Sequence, residues 1–165
     1  MPHPIIKTTA GSWRLVDRDQ DEKLPDCDHF DALMKAAREA RENAYAPYSK
    51  FKVGAAVLMG EKIFAGCNVE NASYGGTICA ERAAIFAGVA AGHQTIQALA
   101  LTTGAESGTP IESRSPCGLC RQVISEFAPP STSILLDGGT SDEEIYLGDI
   151  ITLGQLLPWK FQFKP

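Results

Sequence analysis

The stretch Val53-Gly54-Ala55-Ala56-Val57-Leu58-Met59-Gly60-Glu61-Lys62-Ile63-Phe64-Ala65-Gly66-Cys67-Asn68-Val69 decides the fold class. Two apolar runs, 53–59 and 62–69, flank a Gly-X pair, the pattern of two strands joined by a tight turn. Upstream, Phe30, Leu33, Met34, Ala37 and Ala40 share one helical stripe, with Lys35, Arg38, Glu39, Arg41 and Glu42 elsewhere. Asp28 is placed to cap that helix, and Pro47 bars its continuation. Downstream, residues 79–91 are Ala-rich and apolar almost all round, which predicts a buried helix. Residues 96–103 predict a strand, 117–127 a helix opening just after Pro116, 133–137 a strand, and 144–147 a candidate last strand. Thr152 and Gln155 have capping-box spacing, so 153–157 predict a short helix stopped by Pro158. This order predicts an α/β fold, a three-layer α/β/α sandwich around a mixed sheet of about five strands.

At 165 residues the chain fits one domain and needs no disulfide staples. Residues 1–26, with Pro2, Pro4 and Pro25, are polar and aperiodic. They read as an N-terminal extension, poorly ordered unless something holds it down. The connection over 104–115 is longer than the usual median of about 4–6 residues. The net charge of −5, without a basic run, argues against a nucleic-acid partner, because phosphate binding needs clustered Lys and Arg. The first twenty residues hold no apolar secretory core, and the longest apolar stretch, 83–91, is far short of the roughly 20 residues that span a bilayer. No membrane partner is expected. Five cysteines, an odd count without a signal segment, suit a reducing cytoplasm, where clustered thiols more often bind metal than form disulfides.

Three of those cysteines carry the chemistry. Pro116-Cys117-Gly118-Leu119-Cys120 places two sulfurs within reach of one ion, and Cys79-Ala80-Glu81 offers a third. Three thiolates suit Zn²⁺ at about 2.3 Å, and a site with three protein ligands leaves a position open for catalysis. His3, His29 and His93 lie outside both segments, so no fourth ligand travels with the cluster. Both segments are predicted to open helices, whose N-terminal N–H groups favour thiolate over thiol. Three thiolates leave the zinc centre one negative charge in excess. Arg82 or Arg121 is placed to offset it by donating hydrogen bonds to sulfur. Glu81, two residues from Cys79, is the candidate general acid and base. Cys-x-Glu with Pro-Cys-x-x-Cys is the signature of the zinc deaminases, in which the Glu moves protons and is not a ligand. Cys27 and Cys67 read as inert.

Longer stretches extend the likeness: residues 45–56 (Tyr-Ala-Pro-Tyr-Ser-Lys-Phe-Lys-Val-Gly-Ala-Ala), 66–75 (Gly-Cys-Asn-Val-Glu-Asn-Ala-Ser-Tyr-Gly), 78–82, 115–123 and Leu156-Leu157-Pro158. With these, the chain resembles the small homotetrameric cytidine deaminases from about Phe30 to Phe161. The resemblance implies hydrolytic deamination of cytidine and deoxycytidine by a catalytic domain over 27–165. It also implies one Zn²⁺ per subunit held by Cys79, Cys117 and Cys120, with Glu81 shuttling protons and Arg82 supporting the thiolates. By matching position, Phe51 lines the base pocket, Asn68 and Glu70 bind the ribose 3′-hydroxyl, and the Ala80 backbone meets the pyrimidine edge. Tyr74 reaches a neighbouring subunit's site, and Phe161 closes over the base. The implied partners are a nucleoside substrate and three further copies of the chain, with sites near subunit interfaces. Glu70 also argues against editing of RNA or single-stranded DNA, because a carboxylate there would repel a 3′-phosphate.

Overall fold

The computed structural model describes residues 3–7, 13–15, 29–104, 109–140 and 146–163. The expected hairpin is present: β3 (Gly54–Met59) and β4 (Lys62–Cys67) pair antiparallel around Gly60, whose φ is +66°. Both faces of β3 are buried, as its unbroken apolar run requires. Beside it lie β5 (Ile96–Thr102), β6 (Ser133–Thr140) and β7 (Tyr146–Thr152). Among the described strands β5 and β6 form the parallel pair, and the other neighbours run antiparallel. The five expected strands therefore form the mixed core of the sheet.

Two further strands were not foreseen. β1 (His3–Lys7) pairs antiparallel with β7, and β2 (Trp13–Leu15) pairs with β1. The full order is β2-β1-β7-β6-β5-β3-β4, seven strands. Pro4 lacks an N–H, yet it falls outside the positions paired with β2 and has only β7 beside it. The free edge of β7 is what holds this part of the extension down.

Helices cover both faces. On one side α1 (Phe30–Glu42) packs Phe30, Leu33, Met34 and Ala37 onto Ala56, Leu58, Ala98, Ala100, Leu135 and Ile150. Burying each large side chain contributes about 1.5–3 kcal/mol. That holds a helix whose length alone would leave it marginal in water. Its N-cap is His29, without a side-chain cap hydrogen bond; Asp28, the expected cap, and Cys27 lie outside the described residues. On the other side α2 (Ala80–Ala90), α3 (Gly118–Phe127) and the short α4 (Leu153–Leu156) cover Ala55, Val57, Met59, Leu99, Leu101, Ile134, Leu136 and Ile151. Alternate residues of β3, β5 and β6 face opposite layers, as a strand's two-residue period demands. Thr152 and Gln155 form the expected capping box at α4.

Two expectations need correction. The last strand runs from Tyr146 to Thr152 and not over 144–147; residues 144 and 145 lie outside the described set. Helix α2 is not buried all round: Ala80, Ala84, Ile85 and Gly88 face the sheet, while Phe86 is 47% exposed. An apolar residue on the outer face looks the same in sequence as one in the core.

The register of the hairpin positions the site. Gly54 lies opposite Cys67 on β4 and opposite Thr102 on β5. The entry to β3, the exit from β4 and the exit from β5 therefore meet at one end of these three strands. The β4 exit leads to α2 and the β5 exit to α3. Close packing fixes the first of these. A Cβ on Gly66 would lie 2.5 Å from Ala84 N and 2.9 Å from Ala80 O, so α2 sits directly on the backbone of β4.

Candidate active site

Cys79 and Cys117 are the N-caps of α2 and α3, and Cys120 lies in the first turn of α3. Neither capping side chain bonds its own helix, so both sulfurs remain available. The two helix starts converge, and the three Sγ atoms lie within 4.8 Å of one another. Among the described residues this is the group of His, Cys, Asp and Glu side chains close enough together to hold a metal ion. Cys120 is buried, Cys79 partly so, and Cys117 exposed, which leaves the cluster open on one side.

The thiols are in electrostatic conflict. Cys79 is pulled down to about 5, first by a hydrogen bond from Cys120 and then by Arg82. Cys120 is pushed up by the same pairing and by burial. Cys79 and Cys120 cannot both ionise unaided, and a divalent cation would remove that conflict. Tetrahedral zinc with Zn–S bonds of about 2.3 Å spaces its sulfurs by roughly 3.8 Å, inside the observed limit. The trio fits one Zn²⁺ with one coordination position not taken by cysteine.

Of the two arginines considered for charge compensation, Arg82 is the one that reaches a sulfur. Its Nη2 donates to the Thr77 carbonyl at 2.9 Å and to Cys79 Sγ at 3.5 Å. Arg121 does other work: it donates to the Pro116 and Leu156 carbonyls at 2.7 and 3.0 Å and to Ser115 Oγ at 3.2 Å. It ties the start of α3 to α4. Glu81 is 4% exposed, and burial, followed by the charge of Cys79, raises its carboxyl to about 6. A carboxyl poised there can both take and return a proton near neutral pH.

A second set of residues stands beside the sulfurs. Val69 bridges Tyr45 on one side and Ile78 on the other, so the 68–70 segment lies against the residue preceding Cys79. Asn68 is buried; its Oδ1 accepts Val53 N–H at 2.8 Å and its Nδ2 donates to the Phe51 carbonyl at 2.9 Å. Glu70 accepts the N–H of Tyr48 at 2.8 Å and the hydroxyl of Ser49. A pocket of about 250 Å³ opens here, lined by Tyr48, Ser49, Glu70, Asn71, Tyr74 and Thr77.

Residues 28–136, more than half of the chain, match the family described as the cytidine and deoxycytidylate deaminase zinc-binding region. The cytidine deaminase of Halalkalibacterium halodurans is 43% identical over 132 residues, covering 78% of this chain and 91% of its own. That of Sporosarcina psychrophila is 44% identical over 130 residues, covering 78% and 88%. The chain belongs to the cytidine deaminase family. The crystal structure of the cytidine deaminase from Burkholderia pseudomallei superposes with a TM-score of 0.66 at 45% identity, covering 79% of this chain and 98% of that one. The Mycobacterium tuberculosis cytidine deaminase gives 0.64 at 36% identity, covering 81% and 98%. As a member of this family the chain is a hydrolase, and its cysteine trio agrees with the family's zinc.

Not every expected site residue converges within the single chain. Phe51 is 49% exposed, at the entry to β3. Tyr74 lines the pocket but is 81% exposed. Phe161 is 71% exposed and lines a separate cavity of about 180 Å³ with Ser125, Glu126, Lys160, Gln162 and Phe163. Its carbonyl accepts Gln122 Nε2 at 3.0 Å, which ties the C-terminal segment to α3. Ala80 is fully buried at the first turn of α2. Sequence reasoning gave no role to Ser49 or Thr77. Ser49 lies inside the 45–56 stretch that carries the family likeness, and that stretch holds the signal for it. No described helix is long and apolar enough to cross a membrane.

Proposed function

We propose that the chain hydrolyses cytidine and deoxycytidine to uridine and deoxyuridine, releasing ammonia, in cytoplasmic pyrimidine salvage. The observation that carries this reading is the gathering of three cysteine sulfurs within 4.8 Å at two helix starts, with the buried acid Glu81 two residues from one of them. Cys79, Cys117 and Cys120 would hold the metal, with Arg82 offsetting the excess thiolate charge. Zinc, when bound, supplies a Lewis acid that makes water a nucleophile near neutral pH.

The chain's own groups do the rest. Glu81 takes a proton from the attacking water and returns it to N3 of the pyrimidine. A C4–O bond forms, the C4–N4 bond breaks, and Glu81 passes the second water proton to the departing amine, so ammonia leaves. Burial of Glu81 keeps its affinity for the proton high enough to accept it. The Ala80 backbone meets the pyrimidine edge and Phe51 lines the base. Asn68 and Glu70 take the ribose 3′-hydroxyl; the Asn68 amide retains one N–H beyond its two backbone contacts.

The exposed rings of Tyr74, Trp159, Phe161 and Phe163 support assembly as a homotetramer, because a second copy covering them would remove apolar surface from water. In that assembly Tyr74 reaches a neighbour's site and Phe161 closes over a base. The unpaired thiols of Cys67, Cys79, Cys117 and Cys120 suit a reducing compartment.

The test is Glu81→Gln. The variant is expected to keep zinc and fold while losing at least about 10²–10⁴-fold in kcat, the usual contribution of general acid–base catalysis. An ultraviolet assay comparing cytidine, deoxycytidine, cytosine and a cytosine nucleotide sets the substrate range. Near-normal turnover by Glu81→Gln overturns the assignment.

A further inference from the structure

The Glu70 carboxylate is built into its place. One oxygen, Oε2, accepts the N–H of Tyr48 at 2.8 Å and of Ser49 at 3.3 Å, and Oε1 accepts the Ser49 hydroxyl. The same Ser49 Oγ accepts the N–H of Phe51 at 3.0 Å. An amide N–H can only donate, so it occupies a lone pair of Oγ and leaves the hydroxyl proton for the carboxylate. The direction of this short chain is therefore fixed: Phe51 N–H to Ser49 Oγ, then Ser49 O–H to Glu70.

The turn that presents these donors is held by an unusual backbone. Lys50 has a φ of +60°, the left-handed region that non-glycine residues rarely adopt, and its N–H bonds the Ala46 carbonyl at 3.1 Å. Such strain persists only where the surroundings over-determine it, and here Glu70 and Asn68 grip the chain on either side of Lys50. Ser49 also lines the 250 Å³ pocket together with Glu70. A carboxylate offers roughly four lone-pair positions. Three are taken, which leaves room on Oε1 for one more donor.

We propose that Ser49 is a positioning residue for recognition of the sugar: it locks the Glu70 carboxylate so that Oε1 receives the ribose 3′-hydroxyl, and it couples that acceptor to the Phe51 backbone beside the base. The proposal rests on the reading of Glu70 as the ribose acceptor. The carboxyl of Glu70 is held below its ordinary range, first by the Ser49 hydroxyl, so at neutral pH it is ionised and can only accept. That is the state a hydroxyl donor needs.

Steady-state kinetics of the full-length, zinc-loaded enzyme on cytidine and 3′-deoxycytidine test it. Ser49→Ala is expected to raise KM for cytidine about tenfold, as loss of a hydrogen bond to a charged group implies, while kcat stays nearly level. KM for 3′-deoxycytidine is expected not to move, and Ser49→Thr, which keeps a hydroxyl, is expected to restore cytidine binding. Glu70→Ala should abolish the preference for the 3′-hydroxyl. Three results overturn the proposal in distinguishable ways. If Glu70→Ala still prefers cytidine to 3′-deoxycytidine, the reading of Glu70 fails and the proposal with it. If Glu70→Ala loses the preference but Ser49→Ala keeps it, Ser49 alone is wrongly assigned. Equal losses on both substrates mean that Ser49 only supports the loop.

Discussion

Arg38 grips Asp137 with two hydrogen bonds, Nε to Oδ2 and Nη2 to Oδ1, both 2.8 Å. The pair joins α1 to β6 on the face opposite the cysteines. Thr102 Oγ1 donates to the same carboxylate at 2.7 Å and the Gly139 N–H at 2.9 Å, so all of its neighbours favour charge. Burial pushes the Asp137 carboxyl up, but Arg38, Gly139 and Thr102 together hold it below the ordinary Asp range. A depressed pKa in the folded state means stability that is complete above the unfolded value of about 3.9 and lost as pH falls through the folded value. Asp137→Asn should therefore cost about 2–4 kcal/mol at pH 7, because Arg38 and Thr102 lose an ionised acceptor. Denaturant melts between pH 7 and pH 3 check this. The gap between parent and variant should stay level from pH 7 down to about pH 4 and shrink as the pH falls further.

Gly66 is expected to couple fold to chemistry. Its missing Cβ lets α2 lie on β4, with Ala84 N 2.5 Å and Ala83 Cβ 2.8 Å from where a methyl would stand. These are backbone and short side-chain atoms that cannot swing away. Gly66→Ala must lift α2, and with it Cys79 and Glu81, at a cost of about 1–3 kcal/mol from overpacking. A displacement near 1 Å at reacting groups can cost on the order of 10²-fold in rate. The variant should thus lose more kcat than its lowered thermal midpoint accounts for, measured where it remains fully folded.

What the sequence made readable depended on whether neighbours along the chain set the physics. Cys117 and Cys120 announced themselves by the local spacing of a ligand pair and Cys79 by the acid two residues after it, and the structure brings the three together. The Gly60-Glu61 turn and the Thr152–Gln155 capping box are likewise local. Strand β7 was misplaced because Gly148 and Asp149 interrupt its apolar run. The charge of Asp149 is met at 2.6 Å by Arg114, 35 positions away, which no local pattern reports. Strands β1 and β2 were missed because prolines and polar residues hide a segment whose pairing partner lies at the other end of the chain. The sequence could not choose between Arg82 and Arg121, since each lies within three residues of a cysteine and the fold decides which one reaches a sulfur.

Removing the metal should unmask chemistry that the cysteines share. Native protein treated with a thiol reagent is expected to show Cys79, Cys117 and Cys120 protected, and a chelator should free all three and abolish turnover together. Added Zn²⁺ should restore both in the parent chain but not in Cys117→Ala. Arg82→Gln is a finer probe, because it removes the hydrogen bond to Cys79 and leaves every sulfur in place. Loss of such an outer partner typically costs about 10–100-fold in metal affinity or activity. Zinc content by elemental analysis, set beside kcat, separates those two effects.

Deleting residues 1–15 removes β1 and β2 and bares β7, whose N–H and C=O groups now pair with 3–7. An exposed edge strand templates association with other chains. The catalytic groups lie on the β3, β4 and β5 side of the sheet, away from β7 in the strand order. The truncated protein is therefore expected to keep its kcat on cytidine while its β7 amides exchange faster and its tendency to aggregate rises. Hydrogen exchange at 146–152, light scattering and the ultraviolet assay on the same sample check the three parts. A collapse of kcat in truncated protein that remains folded and zinc-loaded would show that the N-terminal segment belongs to the catalytic machinery, against the division of the chain at residue 26.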